Sequence, residues 1–177
     1  MLQPVPVQTT YPQYEPVAQL GMSGSMVPWS VDNRILEDPT GNGVGFALAV
    51  CQGYKSDKGC TLGALSGGAF VGITHADNTL LLGTTPPVGA TTRKIDTFYD
   101  TDNMPVQTFG DIWVAPVTVV AAGSPVYFNT VTGQLGGAAT PNALLIADAI
   151  WVTSLPNSSQ PTVNFNGLAL CRLGHMV

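Results

Sequence analysis

The side chains able to do chemistry are few in this chain, so each can be weighed by its neighbours. There are two histidines, His75 in the string THADN beside Asp77, and His175 close to the C-terminal residue. One imidazole with one nearby carboxylate falls short of the three or four ligands of a zinc site, so His75 reads as a solvent-facing loop residue. A Ser–His–Asp hydrolase would set its serine on a strained turn of the G-x-S-x-G type. The nearest string, GMSGS at residues 21–25, has Ser25 where the last glycine should stand and follows no strand. Cys51 and Cys171 sit in the apolar runs FALAVC and LALC, where a thiol packs as a small hydrophobe rather than an activated nucleophile.

Phosphate and metal chemistry fare no better. GQLGG at 133–137 and LSGGAF at 65–70 lack the Lys-Ser/Thr ending of a phosphate loop. Asp100 and Asp102 begin like a calcium-binding helix–loop–helix site, with Asp96 nearby. However, Pro105 and Asp111 stand where that loop needs Gly and Glu, which leaves a plain acidic loop. No catalytic, cofactor-binding or metal-binding set is assigned, and the chain is expected not to be an enzyme. Three cysteines, Cys51, Cys60 and Cys171, leave at least one thiol unpaired. A Cys51–Cys60 hairpin disulfide is geometrically open, but synthesis in a cytoplasm favours free thiols.

The elements that would position these residues are strands. Charged residues are 10% of the chain and hydrophobic residues 45%, while Gly (20) and Pro (14) supply nearly a fifth of its 177 residues. Gly and Pro are the poorest helix formers and suit short strands with tight turns. Apolar or β-branched runs at 44–51, 69–74, 79–82, 94–99, 111–120, 124–128, 144–152 and 163–173 are separated by GNG, SGG, PP, AAG, TGQ, GG and LPNSSQP. Ile95 and Phe98 are the inward residues expected of their run, and Trp113 and Trp151 are expected in the core. Pro116 inside 111–120 calls for a bulge, an edge or a break. The only stretch open to a short helix, 141–149, serves equally as a strand. The expected fold is all-β, a jelly roll or β-barrel over residues 41–177.

Residues 1–40 differ in character. Pro4, Pro6, Pro12, Pro16, Pro28 and Pro39 recur through a segment whose only charged residue before Asp32 is Glu15, and each biases the backbone toward extended conformations. Tyr11, Tyr14, Met22, Met26 and Trp29 also lie there, unlike in a polar disordered linker. An extended arm that orders against a neighbouring subunit accounts for both features, with those five residues as its interface anchors.

The net charge of −5, with six bases paired only at Lys55/Lys58 and Arg93/Lys94, gives no footprint for nucleic acid and little attraction to an anionic membrane. No run approaches the roughly 18 apolar residues of a membrane span, and residues 1–20 do not read as a signal peptide. A soluble protein made in a cytoplasm is expected.

The second half resembles the tailed-phage structural cement and capsid-decoration proteins of the podovirus type. The resemblance rests on AFVGIT at 69–74, DNMPVQTFGDIWV at 102–114, AGSPVYF at 122–128 with Thr132–Gly133, and NGLALCRL at 166–173, in that order. It implies a barrel or jelly-roll knob with an N-terminal arm. It further implies a homodimer or homotrimer on the outer capsid surface that clasps neighbouring major capsid proteins, with no cofactor. The alternative from another class is a phage adhesin or tail-associated module whose β domain binds a glycan.

Overall fold

The computed structural model describes residues 18–25, 28–38, 40–64, 67–76, 96–155 and 167–174. Among them are nine strands and no helix: β1 (Ser30–Leu36), β2 (Ala49–Gln52), β3 (Gly59–Leu62), β4 (Phe70–Thr74), β5 (Asn103–Val114), β6 (Pro125–Asn129), β7 (Leu135–Gly136), β8 (Ala143–Trp151) and β9 (Ala169–Leu173). The all-β expectation holds, and of the two architectures named from sequence the chain takes the barrel.

Five strands close on themselves in the order β1-β3-β2-β4-β5, with β1 pairing back to β5. The β1–β3 pair is parallel and the other four are antiparallel. Leu36, Val44, Val50, Cys60, Phe98, Met104 and Val106 fill the interior. Burying each of the larger ones contributes about 1.5–3 kcal/mol. β5 then leaves the barrel. At Gly110 its backbone takes φ +96°, and an added Cβ would lie 2.8 Å from Trp29 Cβ and 2.9 Å from the Pro28 carbonyl oxygen. Only glycine meets both demands. Beyond this bend β5 pairs with β9, followed by β8, β6 and β7.

The two-residue period of a strand lets one wall serve two cores. On β2, Val50 points into the barrel while Ala49 and Cys51 point to the second sheet. On β4 a register shift opposite Val50 and Cys51 interrupts the alternation, so that Val71 packs with the barrel core and Phe70 and Ile73 with the other. Ile112, Val114, Val126, Phe128, Leu135, Trp151 and Cys171 complete that second core. After β5 the chain turns back along β7, where the Val117 N–H bonds the Leu135 carbonyl at 2.9 Å.

Several boundaries differ from the sequence reading. Residues 111–120 are not one strand: β5 starts eight residues earlier, at Asn103, and stops at Val114, short of Pro116. The string NMPVQTFGDIWV is thus one continuous bent strand that begins just after the acidic loop. Ser30–Leu36, grouped by composition with the Pro-rich stretch, is a barrel strand paired on both sides. Residues 143–151 resolve as β8, and Phe98 is buried as expected. Residues 79–82, Ile95 and the first part of 163–173 lie outside the described residues. Cys51, Cys60 and Cys171 are free and buried. Cys51 faces the second core and Cys60 the barrel interior, so the two thiols lie on opposite sides of one wall. Burial pushes the Cys51 thiol up to about 11 and the Cys60 thiol up to about 12, and raises Cys171 as well.

Candidate functional interface at the N-terminal seam

β9 covers one edge of β5 beyond Gly110. Residues 21–24 cover the other, as a short antiparallel addition centred on a Ser23–Ile112 bridge. Gly21 N–H bonds the Trp113 carbonyl (2.8 Å), Trp113 N–H the Met22 carbonyl (2.9 Å) and Gly24 N–H the Asp111 carbonyl (2.8 Å). At the far end Ala18 packs into a small cluster with Trp113, Leu168 and Leu170. With four short residues in GMSGS, two of them glycines, the segment has little apolar surface of its own, so polar contacts must supply much of its hold.

Two such contacts flank the seam. Asp111, almost wholly buried, accepts the Ser25 hydroxyl at 2.7 Å and a two-pronged contact from Arg172, Nε at 2.6 Å and Nη2 at 2.9 Å. Burial alone would raise the Asp111 carboxyl. The Arg172 and Ser25 hydrogen bonds and the Arg172 charge outweigh it and hold the group below its ordinary range. On the other flank His75 Nδ1 lies 2.9 Å from the Ala76 carbonyl oxygen. A carbonyl only accepts, so Nδ1 carries a proton. In the neutral ring Nε2 is then an acceptor, 3.2 Å from the Ser23 hydroxyl, whose single proton it shares with a second acceptor. The Ser23 hydroxyl also lies 3.4 Å from Gln107 Oε1, and Gln107 Nε2 donates to the Phe109 and Asp111 carbonyls.

A serine facing an imidazole has the outline of a hydrolase pair, but the surroundings serve another purpose. The Gly24, His75 and Ala76 N–H groups donate to Asp111, Pro105 and Gly21 carbonyls, so they are not aimed at a developing oxyanion. Here the pair stitches the seam to β4 and β5. His75 is therefore no free loop residue, and its ring stacks on Trp29 with centroids 6.0 Å apart and planes 7° from parallel.

Of the five anchor residues named from sequence, Met22 and Trp29 are described. Both are exposed, Met22 at 40% and Trp29 at 55%. Met22 sits within the seam and Trp29 just before β1, with the Ser23–His75 contact between them. Tyr11, Tyr14 and Met26 lie outside the described residues. Sequence reasoning missed Ser23, Ser25, His75, Gln107, Asp111 and Arg172 as one network. Asp100 and Asp102, weighed as calcium ligands, accept backbone N–H groups from Asp38 (2.8 Å) and Tyr99 (2.7 Å). Among the described residues no cluster of His, Cys, Asp or Glu is arranged to hold a metal.

Residues 7–174 match the family described as "Structural cement protein (E217 gp24/Pam3 gp6)". The structure is similar to a chain solved in "The capsid of Myoviridae Phage XM1", with TM-score 0.64 and 18% identity. The match covers 98% of this chain and 100% of that one, and at such identity it shows a shared fold. No curated protein matches.

Proposed function

The chain belongs to the structural cement protein family, and on that premise we propose that it binds the outside of a tailed-phage capsid and ties neighbouring major capsid proteins together. The family match over residues 7–174 is the observation that carries this reading. The role is structural rather than catalytic, with virion proteins and further copies of itself, as a homodimer or homotrimer, as partners. Nucleic acid and membrane are not among them. The chain is made in the host cytoplasm and resides on the virion exterior.

The geometry of the seam supports an arm mechanism. Residues before Ala18, if extended, span up to about 60 Å, well beyond the ~16 Å radius of gyration of a domain this size. Met22 and Trp29 are exposed at the root of that segment, and a rigidly held aromatic is the kind of residue that dominates interfaces. Tyr11 and Tyr14 on that segment, and Met26 between Met22 and Trp29 in the chain, are the further anchors.

The test is binding of the purified full chain to preformed capsid shells. Wild type should bind and raise the temperature at which shells disrupt. Removing residues 1–17, or Trp29→Ala, should weaken binding at least tenfold while leaving the fold intact. Removing 1–40 would not test the arm, because it also removes β1. Failure of wild type to bind shells, or saturable binding to host glycan instead, would overturn the reading.

A further inference from the structure

The loop between β2 and β3 is fastened in a way that neither the barrel nor the seam requires. Its amide groups converge on one buried carboxylate: Glu37 accepts the N–H groups of Tyr54 (2.8 Å), Lys55 (3.0 Å) and Ser56 (3.1 Å). Its carbonyls converge on one amide. Gln52 Nε2 lies 3.1 Å from Ser56 O, 3.3 Å from Asp57 O and 3.1 Å from Gly59 O, and Arg34 Nη1 donates to Asp57 O at 3.1 Å. Gly59 completes the cradle, since an added Cβ there would collide with Glu37 Oε1.

With its main-chain polar groups turned inward, the loop presents side chains outward. Tyr54 is 61% exposed, more than any other large apolar or aromatic residue among those described. Lys55 Nζ stands 5.7 Å from the centroid of its ring. Lys58 is exposed beside them. The placement of cations is uneven in a chain of charge −5. Of six Lys and Arg residues, Arg34, Lys55 and Lys58 gather here, Arg172 is bound to Asp111, and Arg93 and Lys94 lie outside the described residues. Nearby acids are partly engaged: Asp32 pairs with Arg34 at 3.3 Å, and Asp100 accepts the Asp38 N–H and lies 4.0 Å from Lys55 Nζ. Asp57 is exposed. Two lysines, with Asp57 as an exposed acid between them, thus flank one aromatic ring on a backbone already held in place, so little main-chain ordering would oppose docking.

We propose that residues 53–58 form a second docking site, separate from the seam, for a protein surface that offers carboxylate or carbonyl acceptors around an apolar slot. The proposal rests on the cement reading, with the capsid shell as the partner surface. Tyr54 fills the slot and Lys55 and Lys58 meet the acceptors.

The experiment is shell binding by the full chain, with wild type, Tyr54→Ala, Lys55→Glu and Glu37→Gln compared at several salt concentrations. Tyr54→Ala should keep the wild-type melting temperature, and Lys55→Glu, which loses its attraction to Glu37 and Asp100, should lower it slightly; both should bind at least tenfold more weakly, Lys55→Glu with a shallower salt dependence. Glu37→Gln, which frees the loop without altering its surface, should speed amide exchange at residues 54–56 and weaken binding severalfold. If wild type binds and the Tyr54 and Lys55 variants match it within twofold, this site is overturned while the cement reading stands. If wild type does not bind, both fall. Wild-type binding by Glu37→Gln with a loosened loop would overturn the role given to preorganisation.

Discussion

The β2–β3 loop and the N-terminal seam are each fastened by a buried carboxylate, yet the fastenings are built from different materials. Glu37 holds three consecutive backbone N–H groups, 17 to 19 residues along the chain. Asp111 holds two side chains, Arg172 at 61 residues' separation and Ser25 at 86. Backbone donors are the same whatever residue supplies them, so the N–H groups of the loop depend on a single acceptor and fix none of the side chains that surround them. The seam depends on a particular serine, arginine and aspartate meeting from distant parts of the chain. One arrangement leaves a surface open to change, and the other fixes a junction.

The largest effect expected from this contrast is that of Glu37→Ala. It strands three amide donors at once, at roughly 1 kcal/mol or more each. Calorimetry should show a melting temperature lower by about 6–12 °C, at ~2–4 °C per kcal/mol for a domain of this size. A shift under 2 °C would break the comparison. Next is Arg172→Met, which leaves the Asp111 charge buried with Ser25 as its remaining side-chain partner. Breaking a buried pair costs about 3–5 kcal/mol, but Arg172 is a third exposed, and solvent screening brings the expectation to roughly 2 kcal/mol. Urea unfolding reads that change, and amide exchange at residues 21–24 should speed with it. A stability loss without faster exchange there would detach Asp111 from the seam.

The smallest effect is that of acid. Burial raises the Glu37 carboxyl, but the N–H groups of Lys55, Tyr54 and Ser56 and the Lys55 charge outweigh it, so it lies below its ordinary range, as Asp111 does. The unfolded chain therefore takes up protons first, near the ordinary values of about 4.3 and 3.9. Stability from both groups is complete above that range and is lost as pH falls through the lower folded values. Melting temperature should hold level from pH 7 to about 5 and decline below about 4, less steeply in Arg172→Met. A rise on acidification would contradict the assignment.

The fold class was legible because Gly, Pro and β-branched runs carry local information, and Val50, Ile73, Trp113 and Trp151 sit in runs that announce burial. β5 was not, because Gly110 reads as a turn when only its neighbours are known. Its role as a bend appears once Pro28 and Trp29 are seen pressing against it. β1 was hidden by Asp32, Asn33 and Arg34, polar residues on a strand whose only fully buried side chain is Leu36. The seam network had no sequence signature at all. Ser23, His75 and Gln107, or Ser25, Asp111 and Arg172, have no fixed spacing, and only the pairing of distant strands brings them together. Met22 and Trp29 stood out because apolar side chains in a Pro-rich, uncharged stretch are conspicuous.

The antiparallel course of residues 21–24 along β5 also has a mechanical side. Hydrogen bonds between antiparallel strands run perpendicular to them. Tension applied along the β5 axis through the chain before Ala18 would therefore strain the three seam bonds together, in shear, and pass the force into β5, which belongs to both barrel and second sheet. Tension across the axis would open the same bonds one after another, beginning at Gly21. The seam is thus a lap joint, strong in one direction and easily peeled in the other.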